Sequence, residues 1–241
     1  MPEISKGVYF IQGQDEFIPD SHVYIIGEPS SQDLSIVDVG LAGKGTYKIQ
    51  SIKKMGIELS SIKRIIMTHT HFDHIGCLSE IKKQFPDIEV WVHKSEAELL
   101  EKGDERAVYG MDELKGMCQM QYGLKTGAFR FKVDYTPEDE ETLEIGNMVW
   151  KVLHIPGHSM GGIALYNTDA KILIPGDVVY ADYAIGRFDL FGANARELKE
   201  SLLKLSELDV DTLLPGHNRI VKGLPATYIK ETTKMWAPYL T

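Results

Sequence analysis

Residues 68–76 read THTHFDHIG, which places three of the chain's eight histidines, together with an aspartate, between positions 69 and 74. Neutral imidazole and carboxylate are ligand types suited to zinc, iron or manganese. His69 and His71 are two residues apart, so in an extended segment their rings point the same way and can meet one ion. Asp73 and His74 follow where the chain should bend into a helix, and could face a second ion from the same loop. Packing alone accounts poorly for such a cluster, because neighbouring imidazoles repel one another as soon as they protonate.

Three later segments share one form, a metal-type side chain just after an expected strand. They are His158 in IPGHSMGG, Asp177 in LIPGDVVY and His217 in LLPGHNR. Each follows a Pro-Gly turn that bends the backbone tightly at a strand's end. Loops held by a rigid sheet are where catalytic groups tend to sit. Singly, each motif reads as no more than a turn. With His69, His71, Asp73 and His74 they supply five histidines and two aspartates, enough for two adjacent ions with one carboxylate free to bridge them.

The elements that must position these groups are legible in outline. GVYFI, HVYIIG and LSIVDVG read as antiparallel strands within the first forty residues. TYKIQSIKKM, stopped by Gly56, reads as a helix. KRIIM (63–67) is a strand running into the histidine cluster. The apolar residues Ile75, Leu78, Ile81 and Phe85 fall at helical spacing, predicting one helix from His74 to Phe85 that Pro86 ends. EVWVH (89–93) reads as a further strand. Two helices, in SEAELLEKG and MDELKGMCQMQYGLK, occupy a region at about 94–140 that could form a lid or a dimer contact, and PEDEET (137–142) reads as a solvated loop. MVWKVLHIPG, GGIALYN and AKILIPGD read as three strands, followed by a helix over 193–208 with Asn194 as its N-cap. DTLLPG and ATYIKETTKMW close the chain as a strand and a helix. The second half echoes the strand-then-helix rhythm of the first.

Composition bounds the function. A chain of 241 residues, 43% hydrophobic and 25% charged, suits one α/β domain with a large core. Its 26 basic and 35 acidic residues give a net charge of −9. With no basic cluster, this argues against nucleic acid or an anionic membrane as partner. Two cysteines, Cys77 and Cys118, make no disulfide framework. The N-terminal segment lacks the features of a signal peptide, and no apolar run has membrane-spanning length. A cytoplasmic protein acting on a small molecule is expected.

THTHFDHIG resembles the HxHxDH signature of the metallo-β-lactamase fold superfamily. His158, Asp177 and His217 match the family's remaining ligand positions in order and local context, and Asp38 in IVDVG resembles its early strand-end aspartate. The resemblance covers nearly the whole chain. It implies an αββα sandwich, two mixed sheets packed face to face with helices outside, formed here as a single domain over 1–241 with a partly helical insertion at about 94–140. It implies that His69, His71 and His158 hold a first metal, that Asp73, His74 and His217 hold a second, and that Asp177 bridges them. Zinc is the leading expectation for both ions, over iron or manganese. Water shared by two such cations is acidified towards neutrality, which suits hydrolysis of a thioester, lactone or other ester.

The resemblance also discriminates among branches. True β-lactamases of this fold generally place a cysteine or altered ligands in the region of Asp177, whereas this aspartate pattern is similar to that of hydrolases acting on thioesters, lactones and phosphodiesters. GDVVYADYAIGRFDL (176–190) resembles a glyoxalase II-like stretch, with one extra residue between Asp177 and Arg187. Arg187 is a candidate clamp for a substrate carboxylate, or else a surface arginine paired with Asp189. Tyr180 resembles the tyrosine that certain lactonases place over the carbonyl, where a phenol donates to the developing oxyanion. Asp73 and Tyr180 are thus the candidate catalytic groups, and Tyr180 and Arg187 the candidate substrate contacts. The segment after His217 is too short for the helical domain that carries much of the glutathione site in full-length glyoxalase II enzymes. Met111, Met117, Met120 and Tyr122 either cover an apolar acyl chain or make ordinary core or oligomer contacts. His22, His93 and His154 read as structural, Cys77 as a packed thiol, and Asp38 as a hydrogen-bonding support for the histidine loop. Rival readings are an iron-dependent persulfide dioxygenase and a phosphodiesterase or nuclease, both on the same fold.

Overall fold

A computed structural model describes residues 3–14 and 18–241; the reading of strands and turns over the first forty residues is tested only within these. The first sheet contains β1 (Glu3–Ser5), β2 (Val8–Ile11), β3 (Val23–Ile26), β4 (Leu34–Val37), β5 (Ile62–Ile66) and β6 (Glu89–Trp91), in sequence order. β1 to β4 pair antiparallel, whereas β4–β5 and β5–β6 are parallel. The parallel steps need crossovers. They are made by α1 (Gly45–Lys54), and by α2 (Phe72–Ile75) with α3 (Leu78–Gln84). The second sheet runs β7 (Thr142–Ile145), β8 (Met148–His154), β9 (Ile163–Asn167), β10 (Ile172–Ile174), β11 (Thr212–Leu213) and β12 (Val221–Lys222). Here too an antiparallel meander leads to one parallel step, β10–β11. The echo between the halves is therefore topological.

Alternation along the strands explains the layering. In β3, Val23 and Ile25 pack towards helices, whereas Tyr24 and Ile26 enter a second cluster with Trp150, Val152, Ile163 and Leu165 of the other sheet. In β9, Ala164 and Tyr166 face the helical side in turn. The central strands β3, β4, β9 and β10 are buried on both faces, so they read as nearly continuous apolar runs, whereas β7 and β8 at the edge alternate with exposed residues. The helical layer on the first sheet includes α1, α3, α4 (Lys94–Lys102), α5 (Arg106–Tyr109) and α6 (Asp112–Tyr122). The layer on the second is α7 (Ala195–Ser206) and α8 (Tyr228–Trp236). This is the expected αββα sandwich.

Several elements depart from the sequence reading. The helix expected over 74–85 starts earlier, at Phe72, and breaks after Ile75. The His74 carbonyl accepts the N–H groups of Val39 and Gly40, and the Cys77 N–H donates to Gly40. Gly76 lies so close to this strand-end loop that a Cβ would meet Ala42 N at 2.4 Å. Tertiary backbone pairing thus interrupts a continuous helical pattern. The acidic stretch ends in β7 at Thr142, while β1, β12 and α5 are too short to announce themselves in periodicity. Asn194 caps α7 as expected, accepting the Arg196 and Glu197 N–H groups.

A buried ion pair fastens the first sheet to the ligand loops. Lys48 Nζ donates to Asp20 Oδ2 at 2.8 Å and to the Ser21 carbonyl at 3.1 Å, with both charged side chains essentially inaccessible. Asp20 also accepts the Leu41 and Gln14 N–H groups. The adjoining Ser21 and His22 N–H groups donate to the carbonyls of Asp73 and Gly216. Removing one partner of such a pair strands the other charge away from water. Lys48→Met should therefore lower unfolding stability by about 3–5 kcal/mol, measured by urea denaturation; a loss below about 1 kcal/mol would show the pair to be dispensable.

Candidate metal centre

The four ligand loops all leave the C-terminal ends of strands. Thr68 to His74 follow β5, and the loops bearing His158, Asp177 and His217 follow β8, β10 and β11. The two sheets thus contribute to one edge of the sandwich. His71 stands at the N-cap of α2, with extended backbone, so Asp73 and His74 in the first helical turn come round to a different side from His69 and His71. Gly157 has φ 126°, and a Cβ there would meet Leu198 N at 2.1 Å. Only glycine fits between the loop and α7, which explains the Pro-Gly before His158.

The structure brings the seven expected side chains into two groups. Ligand-type atoms of His69, His71 and His158 lie within 4.8 Å of one another, as do those of Asp73, His74, Asp177 and His217. His71 Nδ1 and His158 Nε2 are 2.9 Å apart. In the second group His217 Nε2 is 2.9 Å from Asp73 Oδ2 and 3.4 Å from Asp177 Oδ2, and His74 Nε2 is 3.3 Å from Asp177 Oδ1. Asp177 also reaches the first group, with Oδ2 3.7 Å from His158 Nε2. It stands between the two sets.

The hydrogen bonds behind the rings fix which nitrogens face inward. The Thr68 hydroxyl donates to Asp38 Oδ2 at 2.7 Å, so it accepts from His69 Nδ1 at 3.0 Å, leaving the His69 Nε2 lone pair free. His158 Nδ1 donates to the Arg187 carbonyl at 2.7 Å, and His74 Nδ1 to Asp38 Oδ2 at 2.8 Å. His69 Nε2 is buried without a hydrogen-bond partner, and His74 Nε2 and Asp177 Oδ1, 3.3 Å apart, face only each other. Inward-facing lone pairs and carboxylates with too few protons between them are the chemistry of a cation site. The residues present therefore fit two divalent ions.

Electrostatics separate the groups. Burial, and then the neighbouring His74, His71 and His158, push His69 far below the usual imidazole range; burial and His158 take His71 down to about 3. His158 is lowered by burial as well. The first group is thus neutral imidazole, the ligand form. In the second, burial works against charge, but Asp177 and Asp38 raise His74, and Asp177 and Asp73 raise His217. Asp73 and Asp177 are held low against their own burial, Asp73 by His217 and His74, Asp177 by the same two histidines. Metal binding in this group exchanges protons for the ion.

Asp38 performs the support role expected of it. It adopts φ 57° just after β4 and accepts the Thr68 N–H at 2.8 Å besides the Thr68 hydroxyl and His74. A left-handed aspartate at this point is a strained backbone retained where it orients ligands. Cys77 is a packed thiol, donating to the Val39 carbonyl. His93 and His154 stack on each other, 4.0 Å between centroids, away from the ligands. His22 differs from its expected structural role. Its Nδ1 accepts the Gly13 N–H, its Nε2 donates to the Asn218 carbonyl beside His217, and its ring lines the cavity over the site. Its sequence neighbourhood does not signal the cavity position, because Asn218 lies far along the chain.

Tyr180 is buried at the cavity, its phenol held protonated by burial and by the nearby Asp177 carboxylate. Arg187 lines the same cavity, but its Nε and terminal nitrogen bond Asp189 at 2.7 and 2.8 Å. Its backbone carbonyl, rather than its guanidinium, serves the ligands by orienting His158. Met117 reaches the cavity, Met111 a separate surface hollow, and Met120 is 83% exposed. Tyr122 packs on Phe72.

From sequence, Glu96 is only one residue of a helix. In the structure it is buried, with Oε2 accepting the Thr70 N–H at 2.9 Å and Oε1 the Gly161 N–H at 3.1 Å. One carboxylate thus ties the His69–His71 loop to the His158 loop. Its only sequence signal is a glutamate at the start of α4.

A protein-family model described as the metallo-beta-lactamase superfamily matches residues 19–217, and the chain belongs to that superfamily. Among similar proteins, the probable metallo-hydrolase YqgX of Bacillus subtilis (strain 168) is 35% identical over 78% of this chain and 81% of its own. The probable metallo-hydrolase YflN of the same organism is 28% identical over 93% of this chain and 87% of its own. The structure resembles BLEG-1, a B3 metallo-beta-lactamase, with a TM-score of 0.73 and 27% identity over 97% of this chain and 100% of that one. TTHA1623, solved in a di-iron-bound form, shares the fold at a TM-score of 0.66 and 23% identity, covering 89% and 94% of the two chains.

Loss of an outer partner typically costs a metal ligand set about 10–100-fold in affinity. Asp38→Asn and Glu96→Gln should each do so, read by competition with a chromophoric chelator; wild-type affinity in both variants would refute their supporting roles.

Proposed function

We propose that this protein is a dinuclear metal-dependent hydrolase of acyl bonds in esters, lactones or thioesters. The observation that carries the reading is the position of Asp177 between two ligand groups at the floor of a cavity of about 670 Å³ that Tyr180 also lines. His69, His71 and His158 would hold one cation and Asp73, His74 and His217 the other, with zinc proposed for both. Two such ions supply Lewis acidity, acidifying water and polarising a carbonyl oxygen. The two Bacillus relatives named as probable metallo-hydrolases support the reaction class.

The chain's own groups do the rest. Asp73 is the more accessible of the two carboxylates, at 23% against 6% for Asp177. In this reading it would accept a proton at the cavity floor. Tyr180 keeps its phenolic proton at neutral pH and would offer it to a substrate oxygen, a donor to developing negative charge. The buried imidazoles of the first group need no deprotonation before binding a cation. Elsewhere, among the described residues, no helix is long and apolar enough to cross a membrane.

His71→Ala should strip metal and reduce turnover by more than about 100-fold while leaving the circular dichroism spectrum unchanged. The check is elemental analysis of purified wild type and variant, paired with a panel of aryl esters, lactones, thioesters and a chromogenic cephalosporin. Unchanged metal content and turnover in the variant would contradict the assignment. Iron with substrate-dependent oxygen uptake would replace hydrolysis by the dioxygenase reading.

A further inference from the structure

The cavity above the ligands is two-sided. Its polar end holds the ligand groups, Tyr180, His22 and Asn218, and its other side is an apolar wall of Phe72, Val108, Tyr109, Leu114, Met117 and Leu190. The wall begins at the reacting end, since Phe72 directly follows His71. The Phe72 and Tyr109 rings stack with centroids 5.4 Å apart, and both are buried, as is Val108. Leu114 and Met117 are three residues apart on α6, hence neighbours on one face, and Met117 is 41% exposed at the outer end. Leu190 is held against the turn between α5 and α6. Gly110 has φ 73° and lies against it, and the Phe191 N–H donates to the Gly110 carbonyl at 2.9 Å. An apolar surface therefore runs from the ligand floor to the mouth.

Charge gives the second observation. Among the described lining residues the one fixed cation is Arg187, and both arms of its fork face Asp189. Both ring nitrogens of His22 are committed, one to the Gly13 N–H and one to the Asn218 carbonyl. Of the acids on the lining, Asp20 is neutralised by Lys48, and Asp73 and Asp177 belong to the ligand groups at the floor. Away from the ligand floor, a remote carboxylate or phosphate on the substrate would meet no uncommitted cation among the described lining residues, and burying unpaired charge is costly.

We infer that the substrate is a neutral ester or lactone whose acyl group is an alkyl chain, laid along the α5–α6 wall with its carbonyl at the ligand floor. This rests on the acyl-hydrolase reading and narrows it. Water adds to the acyl carbon and the C–O bond breaks. The alcohol oxygen leaves with one of the water's protons, and the acid is released as carboxylate and proton. The chain is recognised by burial, so each added methylene contributes until it reaches Met117.

The test is a series of p-nitrophenyl esters from acetyl to octanoyl, set against the glutathione thioesters of the same acids. Each buried methylene should raise kcat/KM about fourfold, and the glutathione thioesters should trail the neutral esters. A flat series, or a preference for the anionic thioesters, would overturn the inference. Leu114→Asp should collapse the octanoyl-to-acetyl ratio; an unchanged ratio would remove α6 from the wall. Binding of the neutral amides butanamide, hexanamide and octanamide, followed by calorimetry with and without added zinc, separates this inference from the reading it rests on. Tighter binding with chain length but no ester hydrolysis would keep the wall and reject the acyl hydrolase. Hydrolysis with no chain-length trend in either experiment would keep the hydrolase and reject the wall.

Discussion

Five imidazoles and two carboxylates converge in a buried space where their lone pairs point at one another and hydrogen-bond donors are scarce. Buried polar atoms ordinarily find partners. Here His69 Nε2 has none, because the outward nitrogen of that ring holds its proton, committed to Thr68, while His74 Nε2 and Asp177 Oδ1 face only each other. The arrangement is satisfied by cations placed between the groups. A fold that builds such a space must hold it open against repulsion, and much of the structure around it serves that end.

The holding is done by both sheets and by a few buried charged groups. Strand ends of β5, β8, β10 and β11 fix where each loop starts. Asp38 then orients His74 and Thr68, while Glu96 joins the loops that supply the three-histidine group. The Asp20–Lys48 pair and the His22 ring brace the same edge from the side of the first sheet. Removing any of these alters ligand direction before it alters ligand identity.

How much of this was legible in the sequence depended on range. THTHFDHIG and the three Pro-Gly motifs carry their signal locally, as residue types at fixed offsets. The layered architecture was likewise visible, since strands buried on both faces are apolar at successive positions. What was hidden depends on partners distant in sequence. The break after Ile75 comes from Val39 and Gly40, the cavity role of His22 from Asn218, and the tether at Glu96 from Thr70 and Gly161. For Arg187, two alternatives were open, and the structure commits the guanidinium to Asp189 while its backbone carbonyl orients His158. No local pattern encodes a backbone contribution of that kind.

The central claim is that the two donor groups are two cation sites joined by Asp177. Anomalous diffraction from zinc-loaded crystals, collected on both sides of the zinc absorption edge, tests it most directly. Two peaks are expected, one among His69, His71 and His158 and one among Asp73, His74 and His217, with Asp177 between them. Peaks absent from both groups, or a single ion at full occupancy with the second group still paired through its own protons, would contradict the account.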